Sequence, residues 1–540
     1  MPLPRLQPEK PGDSARTDSV LFAVYAPFGS DETLSTFPEG SSRDLAQHPL
    51  YQGLLKVAAS GVHVAALVDL AKDDTYLVEI EAGKPEGVSV TSRWKQDMAS
   101  PNNLAGFLRH AHRGHPTSAI VLALEGHGAG YLPEIDRSQL STRTLTRNGA
   151  FEWRFDANGG APVLPGGSPL LPGGSPLLPG GSPLLPGGSP LLPGGSPLLP
   201  ANHMPLSTWG LGAALKAAQE AGVPKLSVIH FDNCFNMAVE VLHTVAPSAE
   251  YATGYPNYNF FTAGEGYPGV FAKLAQQGTA SAQELAHWFA DANRQILEAK
   301  GNHPTLGCVV RLARLHTIAE CVDDLADALL AALRGAPDAG ARLAVVQRIR
   351  SAIVLAQQFD TEATFRLEAP DELTDLFSLA NSLLNFDFRP HPVHPAARAL
   401  KDALQGIKAY GSNDAPWVAA GTGITWNFSS PYLAMNIFLP DPLLRGFWDW
   451  RSPFYLDVNP DPTLPLVQPH IIDFLKVTDW VDFLIEYHKD SKEWVRLLPA
   501  AIPEFPVFNA KFDPKTIPPC GHDKPGGTPG KPDRPTAGKR

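Results

Sequence analysis

Four short apolar runs, separated by stretches with helical periodicity, constrain the fold of this chain more than any other feature. The runs cover residues 20–26, 62–70, 119–124 and 226–231, and the helical patterns between them cover residues 44–60, 103–112 and 208–221. Runs that are apolar on both faces are typical of parallel strands covered by helices on both sides of a sheet. The alternation therefore predicts an α/β fold with a mostly parallel sheet and helices on both faces.

The bulk composition excludes several classes of protein. The chain has 540 residues, of which 44% are hydrophobic, and this length suits two packed domains. Its formal net charge is −11 and it has no basic stripe, so we expect no nucleic-acid partner. No apolar run approaches the ~18 residues that span a bilayer, so we expect no membrane partner. Residues 1–19 lack the apolar core of a secretory signal, which predicts a cytoplasmic location.

The organisation along the chain predicts an α/β unit followed by helices. Residues 1–17 read as a disordered arm, and residues 18–300 as the α/β domain with an insertion at 160–203. Helical patterns at 318–333, 341–358, 372–384 and 480–487, with a strand at 421–428, predict a helix-rich accessory domain over residues 301–502 that partly completes the sheet. The Pro/Gly/Lys-rich residues 503–540 are expected to be a disordered tail.

The insertion consists mainly of a repeat. From Leu164 the heptapeptide LPGGSPL occurs five times without change, followed by Leu199 and Pro200. Proline and glycine in every copy block helices and sheet ladders, and they exclude a coiled coil despite the seven-residue period. We interpret the repeat as a flexible surface insertion, and the alternative is a spacer that exposes a processing loop.

Two chemically capable motifs each follow directly after a predicted strand. EGHGAG (125–130) follows the run at 119–124, and DNC (232–234) follows the run at 226–231. Because reactive groups in open α/β sheets gather at the carboxyl ends of strands, we expect His127 and Cys234 to meet. A thiolate attacks a carbonyl while the imidazole moves the protons. The backbone N–H groups of Gly128 and Cys234 are candidates to bind the resulting oxyanion.

Structural interpretations exist for each of these residues. A cysteine after a buried strand is often an inert core residue, and a histidine between glycines is often a loop residue. The two motifs favour catalysis because both fall at the same predicted sheet edge. No HExxH, P-loop or EF-hand spacing occurs, and the clustered histidines lack a clear fourth ligand. We therefore predict no metal and no cofactor.

The residues around both motifs resemble the clostripain family of cysteine peptidases, which are relatives of caspases, gingipains and legumains. HGAG (127–130) is similar to the family's His-Gly-Gly-Gly, and FDNCFNMAVEV (231–241) to its strand ending in Asp-Ala-Cys with the following helix. TLGCVVRLARL (305–315) and GTGITWNFSSP (421–431) resemble two later family strands. The resemblance extends from about residue 20 to residue 487. It implies a caspase-like fold, with His127 as general acid–base and Cys234 as nucleophile.

The resemblance also implies a specificity. The aspartate two residues before the nucleophile, here Asp232, would line the pocket for the substrate's first residue and pair with Arg or Lys. The alternative is that Asp232 caps the following helix or serves a turn. Family members often cut themselves between the two motifs, and candidate sites here are Arg143, Arg147 and Arg154.

The chain departs from the family pattern near this pocket. Asn233 replaces the usual alanine, Glu125 stands in an unusual lead-in to the histidine, and TGYPN (253–257) replaces Gly-Ser-Glu-Glu. GYP (266–268) partly keeps the family's Gly-Trp-Pro-Tyr. These segments would form pocket walls, so the preference between Arg and Lys stays open.

We therefore predict a cysteine endopeptidase that hydrolyses protein or peptide substrates after basic residues through a thioester intermediate. Two alternatives remain at this stage. One is a catalytically silent caspase-like scaffold that binds a partner protein, and the other is a different thiol hydrolase or transferase on the same fold.

Overall fold

The computed structural model describes most of the predicted elements, the DNC motif and part of the EGHGAG motif. The described residues are 17, 19–28, 44–70, 74–94, 98, 100–126, 128, 130–131, 154–155, 162–163, 206–257, 259, 263–300, 306–357, 359, 373–411, 417–418, 425–426, 433–439 and 470–489. Almost all of the predicted arm, insertion and tail lies outside these residues.

Fifteen strands occur in the described part of the chain. They are β1 (Leu21–Pro27), β2 (His63–Leu70), β3 (Asp74–Ile80), β4 (Val88–Trp94), β5 (Ile120–Glu125), β6 (Arg154–Phe155), β7 (Pro162–Val163), β8 (Leu226–Asp232), β9 (Ala249–Gly254), β10 (Leu306–Arg311), β11 (Leu373–Asp375), β12 (Lys408–Gly411), β13 (Trp417–Val418), β14 (Thr425–Trp426) and β15 (Asn436–Phe438). Nine of them form one sheet in the order β12-β10-β9-β8-β5-β1-β2-β3-β4, and the other six pair as β6–β7, β11–β15 and β13–β14.

The centre of the large sheet is parallel and its edges are antiparallel. Strands β9, β8, β5, β1 and β2 run parallel, while β10 and β12 at one edge and β3 and β4 at the other pair antiparallel. The four predicted apolar runs are β1, β2, β5 and β8. The antiparallel strands β3 and β4 were not predicted, because their sequences mix polar and apolar residues and lie on a partly exposed edge.

Twelve α-helices occur within the same described residues. They are α1 (Pro49–Ala59), α2 (Pro101–Gly114), α3 (Thr208–Glu220), α4 (Val239–Val245), α5 (Tyr267–Gln277), α6 (Ala282–Lys300), α7 (Leu315–Arg334), α8 (Ala339–Leu355), α9 (Leu376–Leu383), α10 (Val393–Leu404), α11 (Asp473–Val477) and α12 (Trp480–His488). None of the helices that the structure describes combines the length and apolar character needed to cross a membrane.

Helices cover both faces of the sheet, as predicted. Alternate residues of β1 belong to two different apolar clusters: Leu21 and Tyr25 face one, Phe22 and Val24 the other. Helices α1, α5 and α6 contribute to the second cluster, and α2, α3, α4 and α7 to the first. Because both faces are covered, the strand residues must be apolar on both sides, and this is the pattern visible in the sequence.

The C-terminal half agrees with the sequence in most elements. The helical patterns at 318–333, 341–358 and 480–487 correspond to α7, α8 and α12. The helix predicted at 372–384 was wrong at its start, because residues 373–375 pair with β15 and Asp375 then caps α9 by accepting from the Ser378 N–H. Of the strand predicted at 421–428, only β14 lies within the described residues. Strands β10 and β12 extend the sheet; the division between domains at residues 300 and 301 stays a prediction.

Candidate active site

The two motifs emerge side by side from the central sheet. Strands β5 and β8 are direct parallel neighbours, with Glu125 opposite Asp232 in the register. Glu125 directly follows the buried run at 119–124, and Asp232 directly follows the buried run at 226–231. Parallel pairing therefore carries both chains out of the sheet at the same edge, where the reactive groups of such sheets collect.

The loop after β5 packs against the loop after β8. A Cβ atom on Gly128 would collide with the carbonyl oxygen of Cys234, so only glycine fits at this approach. Gly130 N–H donates to Asn236 Oδ1 at 3.2 Å, and Asn233 Nδ2 donates back to the Leu124 carbonyl at 3.3 Å. The glycine motif is thus fixed against the main chain of the cysteine motif. His127 and Ala129 lie outside the described residues.

Cys234 is a buried, uncharged thiol in this arrangement. Burial raises its pKa to about 12, the negative charge of Asp232 adds to the rise, and a hydrogen bond from the Asn259 backbone opposes it. That N–H lies 3.3 Å from Sγ. A thiol with such a pKa carries its proton at neutral pH, so its reaction as a nucleophile requires a base that removes the proton.

The turn after the nucleophile holds an unusual backbone conformation. Phe235 has φ of 61°, a left-handed conformation that is uncommon for a bulky residue and costs on the order of 1–3 kcal/mol. Its N–H donates to the Asn257 carbonyl at 2.8 Å. Asn436 Nδ2 donates to the carbonyls of Phe235 (2.9 Å) and Pro256 (2.8 Å). Strand β15 therefore supports the nucleophile's turn from far along the chain.

Asp232, two residues before the nucleophile, is also buried. Its Oδ1 accepts from Asn259 Nδ2 at 2.7 Å and lies 3.9 Å from His230 Nε2. Burial lowers the pKa of His230, so its ring is neutral. Asn259 thus contacts the sulfur through its backbone and the carboxylate through its side chain.

Glu125 completes a pair of buried carboxyl groups. It hydrogen-bonds to Asp232, and its Oε1 accepts from the Tyr267 hydroxyl at 2.6 Å. Burial and the neighbouring Asp232 raise the pKa of Glu125 well above its usual range. Burial and the adjacent carboxyl group therefore both disfavour a negative charge on Glu125.

The structure brings together three of the residues predicted from sequence and leaves others outside. Gly128, Asp232 and Cys234 lie at one sheet edge. Asp232 does not cap the following helix, because Ala238 occupies the N-cap position of α4. Arg143 and Arg147, like His127, lie outside the described residues. The backbone of Arg154 is described in β6, without its side chain.

Several further residues of the site were not assigned roles from the sequence. The sequence could have indicated a role for Glu125 in the site, because Glu125 and Asp232 hold equivalent positions directly after their apolar runs. Tyr267, from a segment expected to form a pocket wall, contacts Glu125. Asn259 and Asn436 had no signal, because loop packing and the return of β15 decide their positions. Within the described ranges, no group of three or more His, Cys, Asp or Glu side chains is arranged to hold a metal ion.

Comparison with known proteins gives the following similarities. The model of the clostripain family (Peptidase C11) matches residues 202–454. No protein with a curated description matches the chain. A secreted C11 cysteine protease from Bacteroides thetaiotaomicron, solved with an irreversible peptide inhibitor, is 14% identical over 78% of this chain and 92% of its own, with a TM-score of 0.46. An inactive zymogen C11 protease from Parabacteroides distasonis is 12% identical over 87% of this chain and 99% of its own, with a TM-score of 0.46.

Proposed function

We propose that the chain is a cysteine peptidase of the clostripain family, whose model matches residues 202–454, and that it hydrolyses peptide bonds after basic residues with a Cys234–His127 dyad. The observation that carries the proposal is the contact between Gly128 and the main chain of Cys234. Residue 127 immediately precedes that contact. The histidine motif and the nucleophile therefore leave adjacent strands into one shared loop region.

The proposed reaction has two steps. Sγ of Cys234 attacks the scissile carbonyl carbon, and His127 takes the thiol proton and gives it to the amine nitrogen as the C–N bond breaks. This leaves a thioester on Cys234. Water then adds to the thioester, His127 accepts a proton from it, and the sulfur departs and regains its proton. The N–H groups of Gly128 and Cys234 are proposed to bind the oxyanion in both steps.

Asp232 supports a preference for basic substrates. Its carboxyl group is buried, and in the described part of the chain no Lys or Arg side chain forms an ion pair with it. Buried carboxylates are normally paired with a cation, so a cationic substrate side chain would supply an opposite charge. Asn259 Nδ2, at 2.7 Å, marks a position from which an N–H donor reaches Asp232.

We also propose that the chain cuts itself between the two motifs, at Arg143, Arg147 or Arg154. All three are basic residues in the segment that separates His127 from Cys234. Pairing between β5 and β8 would hold the two parts together after such a cut. The cytoplasmic location stays a prediction; the neighbour from Bacteroides thetaiotaomicron is described as secreted.

The proposal is tested with fluorogenic peptides that end in Arg, Lys, Asp or Leu, using the intact protein, Cys234→Ala and His127→Ala. We expect cleavage after Arg or Lys that both substitutions abolish. Cleavage after Asp or Leu alone would keep the dyad and reject the role of Asp232. Absence of all cleavage, including after limited proteolysis near Arg147, would reject the peptidase proposal and favour a partner-binding scaffold.

A further inference from the structure

Glu125 and Asp232 form a buried acidic pair beside the nucleophile. They end the neighbouring strands β5 and β8 in register, and each is at most 5% exposed. Their carboxyl groups hydrogen-bond to each other, and Tyr267 contacts both. Two carboxyl groups in contact are unfavourable in a protein interior unless something positive or a shared proton compensates them.

The protein itself supplies no cation to this pair within the described residues. No Lys or Arg of the described ranges forms an ion pair with Glu125 or Asp232. The nearest nitrogen of an ionisable side chain is His230 Nε2, which is fully buried, lies 3.9 Å from Asp232 and has no hydrogen-bond partner in that part of the chain. A buried donor or acceptor without a partner beside two carboxyl groups points to a ligand that enters the same space.

The position of Asn259 indicates the distance that a ligand must span between Cys234 and the two carboxyl groups. Its backbone nitrogen lies 3.3 Å from Cys234 Sγ, while its side-chain amide reaches Asp232 at 2.7 Å. A residue whose backbone lies against the sulfur can therefore contact Asp232 with a short side chain. An arginine side chain is longer by several bonds, so its guanidinium has the length to contact Asp232 and the carboxyl group beside it.

We propose that Glu125 is a second specificity-determining carboxyl group, which acts with Asp232 to bind the guanidinium of a substrate arginine in preference to the ammonium of lysine. The planar guanidinium has five N–H donors in a fork and can bridge two carboxyl groups. The ammonium of lysine is compact and has three donors, so it is less suited to bridging two carboxyl groups at once. Tyr267 acts as a positioning residue by holding Glu125 Oε1. This inference rests on the proposed function for the location of the substrate's basic side chain.

The first test compares peptides that differ only in a terminal Arg or Lys, with wild type and Glu125→Gln, a change that keeps the side chain's shape. Losing one hydrogen bond to a charged group corresponds to roughly 10- to 100-fold. We expect kcat/KM for the Arg peptide to fall by that factor, mainly through KM, and for the Lys peptide to fall by less than about threefold. Glu220→Gln, at the exposed last residue of α3, is the matched control. Equal changes for Arg and Lys, or no change, would overturn the inference.

The second test measures binding without hydrolysis. Butylguanidinium and butylammonium are titrated into Cys234→Ala protein with and without Glu125→Gln, by calorimetry. We expect Glu125→Gln to weaken butylguanidinium at least about tenfold and butylammonium much less. Guanidinium binding that depends on Glu125 would support the inference even if no peptide is cleaved, in which case the proposed function alone fails. If Glu125→Gln leaves butylguanidinium binding unchanged, or if butylguanidinium does not bind at all, the inference about Glu125 is overturned. This holds even if the protein is an active peptidase.

Discussion

At the scale of single residues, the protonation state of Cys234 is the property that most affects chemistry. Burial raises its pKa to about 12. Because the thiolate is the reactive form, its fraction at pH 7 is small and increases about tenfold per pH unit until the pKa is approached. The Cys234 thiol must therefore lose its proton to a base when its sulfur attacks the substrate.

We expect iodoacetamide to alkylate Cys234 slowly at pH 7, with a rate that keeps rising beyond pH 10. The rate is followed by mass spectrometry of the peptide that contains Cys234. A short unstructured peptide with one internal cysteine is the control, since its rate levels off above the ordinary thiol pKa of about 8.5. A plateau for Cys234 near pH 8 would contradict the prediction and would require a positive charge close to the sulfur.

Gly128 is the residue at which a small change should have a large effect. In Gly128→Ala the new Cβ would collide with the Cys234 carbonyl and push the two loops apart. A displacement near 1 Å at a reacting centre can cost about 100-fold, so we expect kcat/KM to fall at least that far. Gly106→Ala, in the middle of α2 with open space around it, is the matched control and should stay active. Activity of Gly128→Ala near wild type would contradict the role given to this contact.

At the scale of elements, α1 begins with a buried histidine that makes stability depend on pH. His48 Nδ1 accepts from the Leu50 N–H at 3.2 Å, and the ring stacks on Phe28. Burial lowers its pKa to about 4, from an ordinary value near 6.5. Between these values the unfolded chain binds a proton that the folded protein does not. The stabilisation is therefore complete above about pH 6.5 and is lost as the pH falls towards 4.

We expect His48→Asn to remove this part of the pH dependence, because asparagine can also cap a helix. Between pH 7.5 and 5, wild type should lose about 2 kcal/mol more of its unfolding free energy than the variant does. Thermal midpoints at the two pH values provide the measurement. His316→Asn, with the exposed histidine on α7, should behave like wild type. Parallel losses in wild type and His48→Asn would show that His48 is not the group responsible.

The strands that could be predicted from the sequence are those that helices cover on both faces of the sheet. Strands β1, β2, β5 and β8 are covered on both faces, so their sequences are mostly apolar and can be recognised without a structure. The adjacency of β5 and β8, and with it the contact of the two motifs, followed from general rules of α/β sheets.

The elements that escaped prediction depend on distant partners. The start of the predicted helix at 372–384 is the strand β11 in the structure. It pairs with β15, which lies some sixty residues later in the chain. Asn436 supports Phe235 and Pro256 across about 200 and 180 positions. No local pattern encodes such contacts, because they depend on where another segment returns.

At the scale of the whole molecule, the long segment between β5 and β8 starts and ends at neighbouring strands. Its effect on stability is therefore mainly the entropy of closing a loop, which changes slowly with length. We expect deletion of residues 164–200, which contain the repeat, to change the unfolding free energy by less than about 1 kcal/mol. The thermal midpoint should move by no more than about 2 °C.

The deletion is compared with a variant in which a Gly/Ser sequence of equal length replaces residues 164–200. Both should hydrolyse the Arg peptide within about twofold of wild type, because the β5–β8 pairing is unchanged in each. A loss of activity in both variants would contradict the prediction and assign the repeat a specific role. A loss only in the deletion would show that the length of the segment matters.

The direct pairing of β5 with β8 also bears on how this gene can vary. Five identical copies in tandem can misalign when DNA is copied, and each slip adds or removes a whole number of codons. Because the two reactive strands are direct neighbours, we expect their pairing to persist when the number of copies between them changes. Chains that differ only in their number of copies are therefore expected to keep the same core and the same arrangement of the two motifs.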